Sequence, residues 1–364
     1  MQTYKEQVAM NLRSLFETYG YNQYHMSKFE EYDLYARNKD FLVSDTVLTF
    51  TDLSGKLMAL KPDVTLSIVK NTKDLDVVQK LYYNENVYRV SKGSHGFKEI
   101  MQLGLECLGP IDGYCISEVL TLAAESLRQI STDAVLDISH LGILSGVMDS
   151  IGIPSDLRSE AMSYIGEKNL HDLTALCEGC GVSVKDITDL RQLVSMKATL
   201  NADTYCLLRA LLTGRIDAEK LDQFIQMLSV LESSDVATLL RLDFSVVDDV
   251  HYYNGFVFKG FINGLPGSVL SGGQYDKLMN KMKRSDRAIG FAVYTDMLEQ
   301  LEQPTGDYDV DVLLLYGEDT ALLALSQQVK LLTASGRSVM AQRSIPANIR
   351  YKEIMTLGEV QKNA

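Results

Sequence analysis

The chain has 364 residues, 46% of them hydrophobic and 23% charged, which is typical of a globular protein with a sizeable core. At roughly 150 residues per domain, this length predicts two or three units. The net charge of −13 repels polyanions and argues against a surface that holds nucleic acid. The N-terminus is amphipathic and no apolar run approaches the roughly 18 residues of a membrane span, so we predict a cytoplasmic protein without membrane segments.

The cysteines are too few and too irregularly spaced for a disulfide framework, which favours a reducing compartment. Cys177 and Cys180 form a CxxC pair with His171 and Cys206 nearby in the sequence. A zinc site needs four ligands, and one CxxC in a helical segment supplies two. We therefore favour two half-buried thiols over a metal, and we predict no cofactor.

The first hundred residues alternate between helical and strand patterns. Residues 3–18 place apolar side chains at helical spacing, and the pattern stops at Gly20, which is typical of a helix C-terminus. The segment 21–29 alternates like a strand. The segment 46–61 predicts a hairpin with its turn at residues 52–55.

The motif Lys61-Pro62-Asp63-Val64-Thr65 follows the hairpin. Pro62 cannot donate a backbone hydrogen bond, so it marks the passage from strand to helix and places Asp63 and Thr65 near a helix N-terminus. A carboxylate there can cap the helix or receive a ligand ammonium group. Capping is favoured about three to one, because Asp and Thr are ordinary residues at helix N-termini.

Two apolar strands are predicted at residues 77–90 and 100–109, joined by a polar loop. In the second strand, Gln102, Gly104 and Glu106 alternate with apolar neighbours and share one face. The neighbouring residues indicate a central strand. A carboxylate buried there requires a partner.

The middle of the chain is predicted to be helical and the end to form a small α/β segment. A helix at 116–130 and a strand at 134–139 precede a helical insertion at about 155–240, and strands return from 242. A helix is expected to follow residues 288–293 and to end near residue 302. After a linker at 303–307, the remaining elements form a βαβ-like unit, predicted as a strand at 310–316, a helix at about 320–335 and a strand at 338–342.

The stretch from Asp248 to Asp276 predicts two antiparallel strands that bring a tyrosine pair and a glycine-rich turn to one pocket. The tyrosine pair is Tyr252 and Tyr253. The turn is Ser271-Gly272-Gly273-Gln274-Tyr275-Asp276.

These motifs, in this order, resemble the catalytic core of histidyl-tRNA synthetase over nearly the whole chain up to about Glu302. KPDVT is similar to the family's arginine-proline-glutamate-glycine-threonine stretch, QLGLE to the strand whose glutamine and glutamate hold histidine, and SGGQYD to the glycine-glycine-arginine-tyrosine-aspartate turn. The resemblance implies an α+β fold with a class II synthetase-like antiparallel sheet flanked by helices, a helical insertion and a small C-terminal α/β segment. It implies a core at 1–302 and a short segment at 303–364.

The chain departs from the synthetases where they carry positive charge. Asp248 stands where the family has the arginine that activates the histidine carboxylate, and residues 288–297 lack the arginine of the third motif. Arg89 matches the ATP-binding arginine if the following loop is one residue shorter; an ungapped reading puts Tyr88 there. Adenylate formation needs such charge at the α-phosphate.

A chain that keeps a pocket for a histidine-like ligand but lacks these positive charges resembles the regulatory subunit of ATP phosphoribosyltransferase, a paralogue of the synthetase. The resemblance implies a non-catalytic subunit that the short-form catalytic subunit requires, and feedback inhibition by histidine as effector. Asp63, Thr65 and Gln102 would take the ammonium group, and Glu106 and Tyr253 would face the imidazole. The full set implied to bind a histidine-like ligand is Asp63, Thr65, Arg89, Gln102, Glu106, Tyr252, Tyr253, Gly272, Gly273 and Tyr275.

Two alternatives stay open: a divergent histidyl-tRNA synthetase, and a scaffold whose pocket is vestigial. Asp248 and Asp249 would repel the ligand carboxylate unless Arg241, Lys259 or a backbone amide compensates. The class II fold also implies a homodimer of the core, formed through residues 1–30, inside a larger hetero-oligomer.

Overall fold

A computed structural model describes residues 4–42, 46–73, 76–90, 96–247, 252–301 and 308–357. The chain forms two compact units, a larger one over Lys5–Leu301 and a smaller one that contains the C-terminal residues. The predicted boundary after residue 302 and the predicted linker at 303–307 lie outside the described residues. Within the described part, no helix combines the length and the hydrophobicity that spanning a bilayer requires.

The strands are, in chain order, β1 (Asn22–Gln23), β2 (Phe29–Glu31), β3 (Thr49–Thr51), β4 (Leu57–Leu60), β5 (Gln79–Val90), β6 (Phe97–Gly109), β7 (Ala134–His140), β8 (Lys197–Thr199), β9 (Leu240–Asp243), β10 (Phe256–Ile262), β11 (Ser268–Gln274), β12 (Arg287–Tyr294), β13 (Val310–Tyr316), β14 (Val339–Gln342) and β15 (Tyr351–Leu357).

The α-helices are α1 (Tyr4–Thr18), α2 (Tyr32–Arg37), α3 (Thr65–Asn71), α4 (Gly113–Ile130), α5 (Leu141–Ser150), α6 (Arg158–Gly166), α7 (Leu170–Gly179), α8 (Val184–Val194), α9 (Ala202–Leu212), α10 (Ala218–Glu232), α11 (Asp276–Lys281) and α12 (Leu322–Ala334). Short 3-10 helices occupy Lys39–Phe41, Ala237–Leu239 and Thr295–Gln300.

A sheet of nine described strands organises the larger unit, in the order β1-β5-β6-β12-β11-β10-β7-β9-β8. Adjacent strands in this sheet are antiparallel, except that the pairs β1–β5 and β7–β9 are parallel. The long hairpin of β5 and β6 places Tyr83 opposite Gly104. The predicted hairpin at 46–61 is confirmed as β3 and β4, and β2 joins it in a second antiparallel sheet.

Alternation along the strands gives the large sheet two faces, because successive side chains point in opposite directions. On the back face, Phe16 of α1 packs edge-on against Phe291, with ring centroids 5.9 Å apart. Helix α4 packs against β7, β10 and β12, where Gly260 leaves room for Leu127. The front face carries a polar cavity.

Five helices, α6 to α10, occupy residues 158–232, all within the described chain, which is the stretch predicted as a helical insertion. Four of them start at a capping side chain that accepts a hydrogen bond from the first turn, as short polar residues at this position commonly do. These caps are Asn169, Ser183, Asn201 and Asp217. The short strand β8 returns from the insertion to pair with β9.

Several sequence predictions were wrong in detail. Ser271 to Gln274 form most of β11 and not a turn, because glycine is needed there for close packing between strands. Residues 21–29 split into β1 and β2, which belong to different sheets. The helix expected after β12 is a short 3-10 helix.

The smaller unit contains the predicted βαβ arrangement, since β13 and β14 are parallel and α12 connects them. Val312, Leu314 and Leu332 form its buried core. The sequence prediction missed β15, which pairs in parallel with the other side of β13.

Candidate functional site

A cavity of about 260 Å³ opens on the front face of the large sheet, above β6, β11 and β12. The structure brings eight of the ten predicted site residues to its wall: Asp63, Thr65, Arg89, Gln102, Glu106, Tyr252, Tyr253 and Tyr275. Strand β6 explains part of this convergence, because its alternation turns Gln102 and Glu106 to the same side.

Glu106 lies on the floor of the cavity, and its side chain is 2% exposed. Thr65 donates a hydrogen bond to Oε1 (2.8 Å), and the Tyr275 hydroxyl donates to Oε2 (2.6 Å). Burial raises the pKa of Glu106 to about 8, and the negative charge of Asp63 adds to the rise, while the two hydroxyl donors oppose it. Glu106 is therefore a carboxyl group that keeps its proton near neutral pH.

Asp63 serves the helix that follows it. Its Oδ1 accepts a hydrogen bond from the backbone N–H of Leu66 (2.8 Å), so the capping interpretation is confirmed. Burial raises the pKa of Asp63, although the nearby positive charge of Arg89 lowers it. Arg89 donates from Nε to the carbonyl oxygen of Pro62 (2.9 Å), which fixes the guanidinium at the edge of the KPDVT segment.

Three tyrosines form one side of the cavity. Tyr252 packs against Tyr253 with ring centroids 4.7 Å apart and against Tyr275 at 5.8 Å. Phe41 covers Tyr252 from the other side, at 5.9 Å. Burial raises the pKa values of Tyr252 and Tyr275 well above the usual range, so both hydroxyls stay protonated and act as hydrogen-bond donors.

Gly272 and Gly273 do not line the cavity, in contrast to the sequence prediction. A Cβ added to Gly273 would lie 2.7 Å from the ring of Tyr253, and a Cβ at Gly272 would collide with Phe291. Gly273 therefore lets the ring of Tyr253 pack directly against β11. Gly272 lets the side chain of Phe291 pack against the back face of the same strand. Both glycines shape the site through the packing of other residues.

The sequence analysis missed several residues of the wall. Tyr83 reaches the cavity because Gly104, directly opposite on β6, leaves space for its hydroxyl. Ser271 and Tyr294 share a hydrogen bond of 2.8 Å at another edge. An aromatic residue opposite a glycine on the adjacent strand indicates that the aromatic side chain can lie over the glycine. This pattern would have identified Tyr83, but it can be recognised only when the register of the two strands is known.

The Asp, Glu, Lys, Arg and His side chains that line the described part of the cavity are Asp63, Glu106, whose carboxyl group keeps its proton near neutral pH, and Arg89. Such a wall suits a small ligand that carries a cation or a hydrogen-bond acceptor. Asp248 and Asp249, predicted to oppose a ligand carboxylate, lie outside the described residues.

The CxxC pair lies in the insertion, remote in sequence from this site. Cys177 is buried on α7, and burial raises the pKa of its thiol to about 11. Cys180 is half-buried. Across the described ranges, no group of three or more His, Cys, Asp or Glu side chains is arranged to hold a metal ion.

Comparison with known proteins agrees with this architecture. The family model for histidyl-tRNA synthetase matches residues 2–298. The ATP phosphoribosyltransferase regulatory subunit of Oceanobacillus iheyensis is 23% identical over 96% of this chain and 88% of its own length. These findings confirm the predicted resemblance.

Two solved structures are similar in fold. An ATP phosphoribosyltransferase regulatory subunit/histidyl-tRNA synthetase from Bacillus halodurans has a TM-score of 0.78 and 23% identity, covering 97% of this chain and 93% of its own. The ATP phosphoribosyl transferase complex from Thermotoga maritima contains a chain with a TM-score of 0.63 and 17% identity, covering 81% of this chain and 98% of its own. The predicted fold class is confirmed.

Proposed function

The chain belongs to the histidyl-tRNA synthetase family, and from this premise we propose that it is the non-catalytic regulatory subunit of a cytoplasmic ATP phosphoribosyltransferase, the first enzyme of histidine biosynthesis. The observation that carries the proposal is the match to a named regulatory subunit along 96% of the chain. The short-form catalytic subunit performs the transfer of the phosphoribosyl group and requires this chain for activity.

The charge of the cavity supports a binding role in preference to adenylate formation. Stabilising the displacement at an α-phosphate requires several positive groups around the transferred phosphate. Arg89 is the one cation among the described lining residues, and its Nε is bonded to the Pro62 carbonyl oxygen. The carboxylate of Asp63 opposes a polyphosphate, whereas it attracts an amino acid's ammonium group.

Histidine fits the remaining chemistry. Asp63 and Gln102 take the ammonium group, and Glu106 meets the imidazole. Because the pKa of Glu106 is about 8, its carboxyl group is protonated at neutral pH, when free imidazole is mostly neutral. One proton shared between Glu106 and an imidazole nitrogen joins the two, while the Thr65 and Tyr275 hydroxyls hold the carboxyl group in place.

A transferase assay tests the proposal. The short-form catalytic subunit is assayed alone and with this chain, and histidine is then titrated. We expect activity only in the presence of this chain, and inhibition by histidine. In a Glu106→Gln variant, half-maximal inhibition should need about tenfold more histidine, since an amide N–H is a weaker donor than the carboxyl group and cannot share its proton with the imidazole. Glu178→Gln, an exposed carboxylate in the insertion, is the matched control and should behave like the parent.

Three results would contradict the proposal. Full catalytic activity without this chain would remove the regulatory role. Histidine-dependent pyrophosphate exchange with ATP would indicate the synthetase alternative. Activation that histidine never reverses would leave a scaffold with a vestigial pocket.

The core forms a homodimer through residues 1–30 in this proposal. Helix α1 buries Val8, Leu12 and Phe16 against its own unit, while Met10 remains 50% exposed. Met10 supplies exposed apolar area on α1 for contact with a second copy. Light scattering on the isolated chain measures the assembly, and a monomer at all accessible concentrations would refute the dimer.

A further inference from the structure

A second cavity, of about 1080 Å³, lies where three strands of the large sheet end beneath α4, α5 and α10. It is distinct from the histidine-like cavity, because its floor residues belong to the opposite face of the sheet. On β11, Gly273 contacts Tyr253 on the front face, and the next residue, Gln274, points to the back. This volume slightly exceeds the usual range for small-molecule sites.

The floor of this cavity is built from one residue of each strand end: His140 of β7, Phe256 of β10 and Gln274 of β11. His140 and Phe256 are paired across the two strands, and their ring centroids are 4.7 Å apart. Phe224 of α10 adds a second ring, 5.8 Å from that of Phe256. The side chains of Ile143 and Ile216 complete an apolar wall.

Gln274 is 2% exposed, and its amide orientation is determined by the backbone. Oε1 accepts a hydrogen bond from the N–H of Phe256 (2.8 Å), so the NH₂ group is the other end of the amide. No described residue accepts a hydrogen bond from this NH₂ group. This NH₂ group belongs to a residue of the cavity lining, where a ligand or water can supply its acceptor.

His140 presents a second donor beside the first. Its Nδ1 accepts a hydrogen bond from the N–H of Ile143 at the start of α5 (3.2 Å). Burial lowers the pKa of His140 to about 4, so the ring is neutral and its single proton is on Nε2. Two donors, each with its acceptor atom already occupied by the backbone, therefore flank the Phe256 ring.

We propose that this back cavity binds a planar heteroaromatic molecule of about nucleoside size, whose ring acceptors pair with the Gln274 and His140 N–H groups and whose apolar surface lies against the wall that includes Ile143 and Ile216. Ring nitrogens and carbonyl oxygens supply the acceptors that the floor lacks. Apolar contact with the cavity wall supplies the remaining affinity. The proposal does not depend on the regulatory function proposed above.

Adenosine and inosine are the probes, and ribose is the control without a base. Isothermal titration calorimetry on the full chain should show saturable binding of at least one nucleoside and none of ribose. Gln274→Met removes the donor and should weaken binding about tenfold or more, equivalent to about 1.4 kcal/mol. Val230→Trp narrows the mouth from a side chain that is 52% exposed, and should also weaken binding. Val184→Trp, at an 82% exposed site on α8, is the matched control and should bind like the parent.

Variants of the two cavities distinguish the sites. Glu106→Gln on the front face should leave nucleoside affinity unchanged. Absence of saturable binding by both nucleosides would overturn the proposal, as would equal affinity in the parent, Gln274→Met and Val230→Trp. Loss of binding in Glu106→Gln alone would assign the nucleoside to the front cavity and overturn it as well.

Discussion

The buried carboxyl group of Glu106 makes the stability of the larger unit depend on pH. In the unfolded chain this group titrates near its ordinary value of 4.5, while in the folded chain its pKa is about 8. Between these values the folded state binds the extra proton, so stability is fully present below about pH 4.5 and falls as the pH rises towards 8. The pKa rises by about 3.5, and each pKa unit corresponds to about 1.4 kcal/mol, so the full pH-dependent contribution of Glu106 to the free energy of unfolding is roughly 5 kcal/mol.

Glu106→Gln should abolish this part of the pH dependence. The amide keeps an acceptor for Thr65 or Tyr275 and cannot ionise. Urea unfolding at pH 5 and pH 9 should show the parent losing roughly 4 kcal/mol more than the variant, because part of the full effect lies below pH 5. Glu178→Gln, which removes an exposed carboxylate, should lose as much as the parent. If Glu106→Gln and the parent lose stability in parallel, Glu106 is not the group that titrates and the reasoning is refuted.

Three further perturbations test the same network. Tyr275→Phe removes the 2.6 Å bond to Glu106 and should cost about 1.5–3 kcal/mol in urea unfolding; a cost near zero would show that this bond does not support the carboxyl group. Gly290→Ala places a Cβ against the Glu106 carboxyl group and should lower the free energy of unfolding by about 1–3 kcal/mol. In the control Gly267→Ala, the new Cβ meets only the flexible end of a methionine, so the change should stay within about 0.5 kcal/mol. Equal effects of the two substitutions would contradict the packing argument. Asp63→Asn keeps an acceptor for the helix cap and removes a negative charge, so it should lower the pKa of Glu106. The pKa is measured by ¹³C NMR of labelled glutamate. An unchanged or higher pKa would show that the two carboxyl groups do not interact.

Local patterns predicted most elements of the fold because each element carries its own periodicity. The hairpin at 46–61 and the paired strands β5 and β6 follow from alternation of apolar and polar residues. The local pattern gave a wrong prediction for the glycine pair at 272–273, because adjacent glycines usually indicate a turn. Here they are required by Phe291 and Tyr253, which belong to other segments of the chain.

The site was predictable where a motif places side chains on one strand or one helix start, as for Gln102, Glu106 and Asp63. It was not predictable where the contact depends on register. Tyr83 enters the cavity only because Gly104 stands opposite it on the neighbouring strand. Nor does sequence alone show that Tyr275 is the hydrogen-bond partner of Glu106, since the two residues are 169 positions apart.

Strand β11 connects the two cavities through the alternation of its side chains. Gly273 supports Tyr253 at the front cavity, and Gln274 forms part of the floor of the back cavity. Because the two residues share a peptide bond, a ligand that fixes the Gln274 side chain also restrains the backbone on which Tyr253 rests. In the two binding proposals made above, β11 is therefore the strand through which ligands in the two cavities would affect each other's binding.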